Sequence, residues 1–270
     1  MMNILRLKGC DLNLKIIDIE RDKDFPEETI TRLREAKSCV VLTGAGVSAE
    51  SGVPTFRDAL TGTWSKFNVE EFATPEAFRK NPKKVWEWYE YRRNLLKDIN
   101  PNQGHYAIAE LEKIYLDFWL VTQNIDGLHH KAGNKNVLEI HGNICRNKCF
   151  EENTIVDNIS ISEEIPPRCP DCGSYVRPDV VWFHESLPKY EMEKAIEVST
   201  RCDVFIVAGT SAIVYPAAEL PIVARNAGAY VMEINIEKTL ISTQIDITIL
   251  GKTGIVLPRL TELIMAKEGK

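Results

Sequence analysis

Short β-branched and aromatic runs recur along the chain, separated by segments of helical periodicity. SCVVLT (38–43), DFWLVTQ (117–123), VLEIHG (137–142), VVWF (180–183), DVFIVAGTS (203–211) and residues 229–235 read as buried strands. Apolar positions spaced by three and four predict helices over 26–37, 83–98, 104–115, 188–201, 216–227 and 257–267. Pro26 near the start of the first, with acidic residues in its first turn, is a helix-start signal. Strands alternating with helices predict an α/β fold built on a doubly wound parallel sheet. Between 143 and 178 the periodicity is lost, and Pro166, Pro167, Pro170 and Pro178 crowd among cysteines. A stretch of that kind cannot build its own core, so a metal is the expected source of its order.

Composition narrows the function classes. The chain has 270 residues, of which 44% are hydrophobic and 27% charged, which is ordinary globular usage. A net charge of -6 provides no electrostatic footprint for nucleic acid, so no DNA or RNA partner is expected. No apolar run approaches the ~20 residues that span a bilayer, so no membrane association is expected either. Residues 1–25 mix charges with aliphatics, lack a continuous apolar core and carry acidic residues. They read as an N-terminal extension rather than a signal or transit peptide. Seven cysteines, an odd number, favour reduced thiols and a cytoplasmic setting. Cys145, Cys149, Cys169 and Cys172 cluster in the aperiodic stretch, which points to metal.

The strand 38–43 runs into GAGVSAESG, where glycines permit a tight turn and close approach of backbone to phosphate. Gly52 arrives too late for the G-x-G-x-x-G dehydrogenase pattern, and G-A-G after a strand fits a plain structural turn equally well. Four further segments decide between them. GAGVSAESGVPTFRD (44–58), TQNIDGLHHKAG (122–133), EIHGN (139–143), GTS with VYPAA (209–218) and EIN (233–235) together resemble the sirtuin family, in the family's order, across most of residues 35–255.

The resemblance implies an NAD-dependent protein-lysine deacylase in a catalytic domain spanning 26–270. Its Rossmann-like part would take 26–60, 117–142 and 180–270. A small module would combine the zinc-binding insert 143–178 with the helical segment 61–116. NAD and an acylated lysine of a protein substrate would meet in the cleft between the two. Carried over residue by residue, Gly44, Ala45, Gly46 and Arg57 fall to the diphosphate and its ribose, and Phe56 to the cover of the reactive ribose. Gln123, Asn124, Ile125 and Asp126 line the nicotinamide and ribose pockets. Gly209, Thr210, Ser211 and Asn235 reach the far phosphate and adenosine ribose, and Thr253 the adenine.

Of the five histidines, His105, His129 and His130 carry no signal beyond ordinary structural roles. His141 ends a strand immediately before Gly142 and matches the sirtuin catalytic position, with Asn124 and Asp126 beside it in the implied site. The implied reaction has the acyl oxygen displacing nicotinamide from the NAD ribose, followed by base-assisted attack of a ribose hydroxyl on the acyl carbon. The products are nicotinamide, free lysine and O-acyl-ADP-ribose. An imidazole with an ordinary pKa of ~6.5 suits the base, being largely neutral near pH 7. Two other readings use the same cleft: transfer of ADP-ribose to protein, and a noncatalytic sensor of NAD or acyl-lysine.

Tyr89 and Arg92 stand three apart and share one helical face, which by spacing alone favours ordinary packing and solvation. Within YEYRR they resemble the Tyr-x-x-Arg signature of class III sirtuins. That implies desuccinylation and demalonylation beside deacetylation, with Ala73 leaving room for the longer acyl group. Arginine and tyrosine suit a terminal carboxylate, through a two-pronged contact and a third donor. Cys169 and Cys172 form a C-x-x-C half-site for a structural Zn2+. The family's second pair is incomplete, since Cys149 is present but Glu152 replaces its partner. Cys145 is the leading candidate for the fourth ligand; Glu152 through oxygen, or loss of zinc, are the alternatives. A second departure is His184, in a segment where sirtuins often have glycine and pair with the substrate backbone.

Overall fold

The computed structural model describes residues 15–19, 24–54, 69–157, 159 and 164–266. Seven parallel strands form the main sheet: β1 (Lys15–Asp18), β2 (Ser38–Thr43), β3 (Asp117–Thr122), β4 (Val137–Glu139), β7 (Val204–Ala208), β8 (Tyr230–Asn235) and β9 (Ile247–Leu250). Their order is β1-β9-β8-β7-β2-β3-β4. The missing numbers belong to an antiparallel ribbon, β5 (Gly142–Cys149) and β6 (Val176–Val180).

Both faces of the large sheet are covered, which is why its strands read as near-continuous apolar runs. Cys39 and Val41 point to one face, and Val40 and Leu42 to the other. The first face receives α1 (Glu27–Glu35), α5 (Gln103–Ile114) and α9 (Thr253–Met265), through Leu33, Ile108, Leu111, Val256 and Leu260. The second receives α7 (Lys189–Arg201) and α8 (Leu220–Asn226), through Ala195, Val198, Leu220 and Ala224. The remaining helices are α2 (Ala45–Ala49), α3 (Pro75–Lys80), α4 (Pro82–Leu96) and α6 (Leu128–Ala132). No helix among the described residues is long and apolar enough to cross a membrane.

A smaller core forms where α3 and α4 pack on the β5–β6 ribbon. Phe78, Val85, Tyr89, Ile144, Val180 and Trp182 fill it. Arg146 joins the two bodies: it bonds Glu139 at the end of β4 and Asp179 in β6. The chain crosses from large sheet to ribbon at Gly142, with φ +78°.

Three boundaries differ from expectation. The helix at 103–114, assigned by sequence to the small module, packs on α9 in the main core, because Ala107, Ile108 and Leu111 form its apolar face. VVWF (180–183) is not a strand of the large sheet. Val180 ends β6, and the segment beyond it bends, with Trp182 N–H taken by the Glu185 carboxylate at 2.7 Å. Residues 15–18, placed in the extension, form an edge strand through a parallel pairing with β9 that local pattern cannot reveal.

Candidate functional site

The strand order reverses between β7 and β2, since the chain runs from β2 outward to β4 and from β7 outward to β9. Ligands of open α/β sheets bind in the crevice beyond the carboxyl ends of the strands at such a switch point. Thr43 ends β2 there and Ala208 ends β7, so the turns at 44–46 and 209–211 face each other. Gly46 N donates to Gly209 O at 2.8 Å. A Cβ on Gly46 would come within 2.7 Å of that same oxygen, and one on Gly44 within 2.6 Å of Thr210 Cβ. Only glycine lets the two turns approach this closely.

Polar side chains converge on this crevice. Gln123, just past β3, donates from Nε2 to Thr210 Oγ1 at 3.0 Å, and Asn235 Nδ2 donates to Thr210 O at 2.8 Å. Asn124 is buried and donates from Nδ2 to Gly44 O at 3.1 Å and to Ser48 Oγ at 3.2 Å. Ser48 in turn donates to Asp126 Oδ2 at 2.7 Å. His105 completes the network: its Nδ1 accepts from Asn102 N at 3.3 Å, so Nε2 carries the proton and donates to Ser48 Oγ at 3.3 Å. Burial holds His105 neutral, lowering its pKa to about 4, and pushes the Asp126 carboxyl up. His129 donates to Thr43 Oγ1 at 2.9 Å and, fully buried, is also held neutral. Ile125 lies on the same turn and receives Ile144 N–H on its carbonyl at 2.9 Å.

Ser48 and His105 are the residues that sequence reasoning passed over. Ser48 lay within the quoted glycine-rich segment, and its three partners come from elsewhere in the chain. Ser211 is exposed at the crevice rim, and Thr253 opens α9, with its hydroxyl 3.5 Å from Glu50 Oε1. Phe56 and Arg57 lie outside the described residues. Beyond Asn235 the loop to β9 is fastened from beneath: buried Glu233 accepts from Thr239 Oγ1 and Ser242 Oγ in the loop and from Thr248 Oγ1 in β9.

His141 sits in the turn between β4 and β5, at the mouth of the crevice. Its Nδ1 lies 3.1 Å from Gln123 O. A carbonyl only accepts, so Nδ1 carries the proton and Nε2 keeps its lone pair. Burial lowers its pKa, which keeps the ring neutral at pH 7. Gly142 aims the ring: its left-handed backbone turns the chain out of the sheet, and a Cβ there would come within 2.2 Å of Asp179 O.

Beside His141, the segment after β6 hydrogen-bonds both ways. Val181 N donates to His141 O and Phe183 N donates to Ala73 O, each at 2.9 Å. Ala73 and Tyr89 therefore share one core with Trp182 and Ile125. Arg92 lies over Trp88, its guanidinium carbon 4.8 Å from the ring centroid, and 5.7 Å from the centroid of Tyr89. No carboxylate among the described residues pairs with Arg92, and burial presses its pKa down. His184, exposed on the same segment, adopts φ +70°, the left-handed conformation that favours glycine.

Farther along the ribbon, Cys149, Glu152, Cys169 and Cys172 place their ligand atoms within 4.8 Å of one another. Two matching turns bring them together. Asn153 N donates to Cys149 O at 3.1 Å and Gly173 N to Cys169 O at 2.9 Å, and both donors have positive φ. Glu152 thus holds in one turn the place that Cys172 holds in the other.

The family model of the Sir2 family matches residues 44–216. An NAD-dependent protein deacylase 2 of Pyrobaculum aerophilum is 48% identical over 230 residues, covering 85% of this chain and 92% of that protein. The chain belongs to the Sir2 family. A Sir2 homologue solved as its NAD complex has a TM-score of 0.82 at 42% identity, covering 89% of this chain and 94% of that one. A Sir2 structure bound to a myristoylated histone peptide has a TM-score of 0.68 at 39% identity, over 88% and 94% of the two chains.

One expected metal ligand of this Sir2 chain is corrected. Cys145 lies outside the cysteine cluster, exposed, with its backbone N–H on Asn143 Oδ1. Cys145 and Cys149 both lie in β5, but only Cys149 falls among the groups whose ligand atoms converge. Glu152 stands in the cluster instead.

Gly142→Ala is expected to destabilise the protein by about 2 kcal/mol or more, because the substitution adds a clash with backbone to an unfavourable φ. Urea denaturation measures it, and an unchanged midpoint would mean that the turn at His141 is not constrained as described.

Proposed function

We propose that this Sir2-family chain is an NAD-dependent protein-lysine deacylase that accepts acetyl groups and the acidic succinyl and malonyl groups. The observation that carries the acidic preference is Arg92, a half-buried guanidinium with no carboxylate partner among the described residues, beside the hydroxyl-bearing ring of Tyr89. The named activity of the relatives and the NAD and acyl-peptide complexes of the neighbours support the rest.

The crevice residues fit NAD by their own chemistry. Gly44 and Gly46 leave room for phosphate against the backbone, with Ala45 between them, while Gly209, Thr210, Ser211 and Asn235 form the facing wall. Thr253 and the fastened loop after Asn235 serve the adenosine end. Gln123, Asn124, Ile125 and Asp126 line the nicotinamide end, and Ser48 and His105 hold Asn124 and Asp126 in place. Bound there, NAD supplies an anomeric carbon and a leaving group, nicotinamide, for the acyl oxygen of the substrate. His141 then takes a proton on Nε2 from a ribose hydroxyl, and Gln123 O steadies the charge that arrives on the ring. The Val181–Phe183 segment and Ala73 flank the acyl-lysine.

Three thiolates and a carboxylate suit a tetrahedral structural zinc. Cys149, Cys169, Cys172 and Glu152 hold it at the tip of the ribbon, where it supplies the order that the segment's sparse core lacks.

His141→Ala should lower deacylation about 10²- to 10⁴-fold, the usual worth of a general base. In the intact enzyme the acid limb of kcat/KM should fall below pH 6.5. Protonation removes the base, and burial shifts that protonation downward. A limb above pH 7 would overturn the assignment.

Matched acetyl, succinyl and malonyl versions of one peptide test the acyl preference. Arg92→Met should lower the succinyl-to-acetyl ratio of kcat/KM by about 10-fold or more, since it deletes a charge-assisted pair; an unchanged ratio refutes the pocket.

For zinc, Glu152→Gln should weaken retention of the ion against a competing chelator, read as metal per chain, while Cys145→Ala should retain it. The reverse pattern would return the fourth position to Cys145.

A further inference from the structure

Trp182 fell outside every motif, yet it joins the catalytic turn to the acyl pocket. Its side chain is 2% exposed, and its indole Nε1 donates to Tyr89 Oη at 2.9 Å. An indole N–H only donates, so the tyrosine oxygen is the acceptor in this bond. The phenolic proton must therefore point elsewhere, and no acceptor for it is present among the described residues. Tyr89 is 1% exposed, so water does not readily serve. Its proton and the guanidinium of Arg92 are two donors with no carboxylate to receive them among the described residues.

The indole has no freedom to release that bond. Arg177 stacks on it, with the guanidinium carbon 3.2 Å from the ring centroid. The same guanidinium grips Glu185 through both terminal nitrogens and gives a bond to Val180 O at 2.6 Å. Glu185 closes the circuit by accepting Trp182 N–H at 2.7 Å. One ion pair, its arginine buried and its glutamate partly exposed, thus fixes both the main chain and the ring of Trp182, while Phe78 and Phe150 pack on its sides.

We propose that Trp182 is a specificity-determining residue: by occupying the Tyr89 oxygen, it commits the tyrosine O–H to donate toward the terminal carboxylate of an acidic acyl group beside Arg92. This rests on the acidic-acyl reading above. Without the indole N–H, the tyrosine hydroxyl turns freely and can present a lone pair to the carboxylate, which repels it. Arg177 and Glu185 act on the pocket as positioning residues, through Trp182.

Trp182→Phe keeps an aromatic ring in the core, a smaller one, and removes the donor. The ratio of kcat/KM for succinyl over acetyl peptide should fall about 10- to 150-fold, the effect of losing one directed bond to a charged group. Purely structural damage lowers both turnovers together and leaves the ratio unchanged, so an unchanged ratio overturns the proposal. Arg92→Met is run beside it. If that variant also keeps the wild-type ratio, the acidic-acyl reading itself fails; if it lowers the ratio while Trp182→Phe does not, only the role of Trp182 fails. Should Trp182→Phe not fold, Tyr89→Phe is examined by 15N NMR with the tryptophan intact. The Trp182 indole N–H resonance should then move upfield and exchange faster with solvent. No change in either would show that the bond does not exist, and would sink the proposal.

Discussion

The crevice exists because two turns from opposite halves of the sheet touch backbone to backbone. Between Gly44–Gly46 and Gly209–Thr210 there is no volume for a side chain, and a single main-chain hydrogen bond closes the gap. Everything polar in the crevice is measured from that contact. Gln123 reaches Thr210 across the end of β2, while Asn235 reaches it from the neighbouring strand on the other side. Asn124 reaches the carbonyl of Gly44 from the end of the neighbouring strand β3. A parallel sheet contributes strand ends in a fixed row; the glycines turn that row into a cleft with two walls.

Much of this was legible in the residues. The strands at 38–43, 117–122 and 204–208 announced themselves because they are buried on both faces, so their apolar runs are unbroken. His141 stood out because a strand, a histidine and a glycine in that order place a side chain at a rim. The layer to which a helix belongs is less legible. The helix at 103–114 has an apolar face that would suit either core, and only its docking on α9 decides between them. The same holds for Lys15–Asp18, whose partner strand lies more than two hundred residues away.

The cysteine segment misled for a different reason. Its lost periodicity suggested irregular chain throughout, where Cys145 and Cys149 could have curled around one ion. In fact β5 runs through both, with a break in its pairing between Asn143 and Asn147, and Cys145 is left outside the cluster. The two matching turns around Cys149 and Cys169 were present as spacing, C-x-x-E beside C-x-x-C. Their equivalence became visible only in the backbone, where each ends on a positive φ at the following residue.

Glu233 shows how part of one wall of the crevice is prepared in advance. This carboxylate lies in the sheet interior and accepts from three hydroxyls, two of them in the loop that follows Asn235. The loop surrenders its conformational entropy during folding rather than at the moment a ligand arrives. Ordering a mobile loop on association commonly consumes about 0.5–1.5 kcal/mol for each immobilised side chain, and that loss is subtracted from affinity. A wall already held from below avoids the subtraction, so a ligand that reaches this end of the crevice meets a rigid surface and can be anchored there.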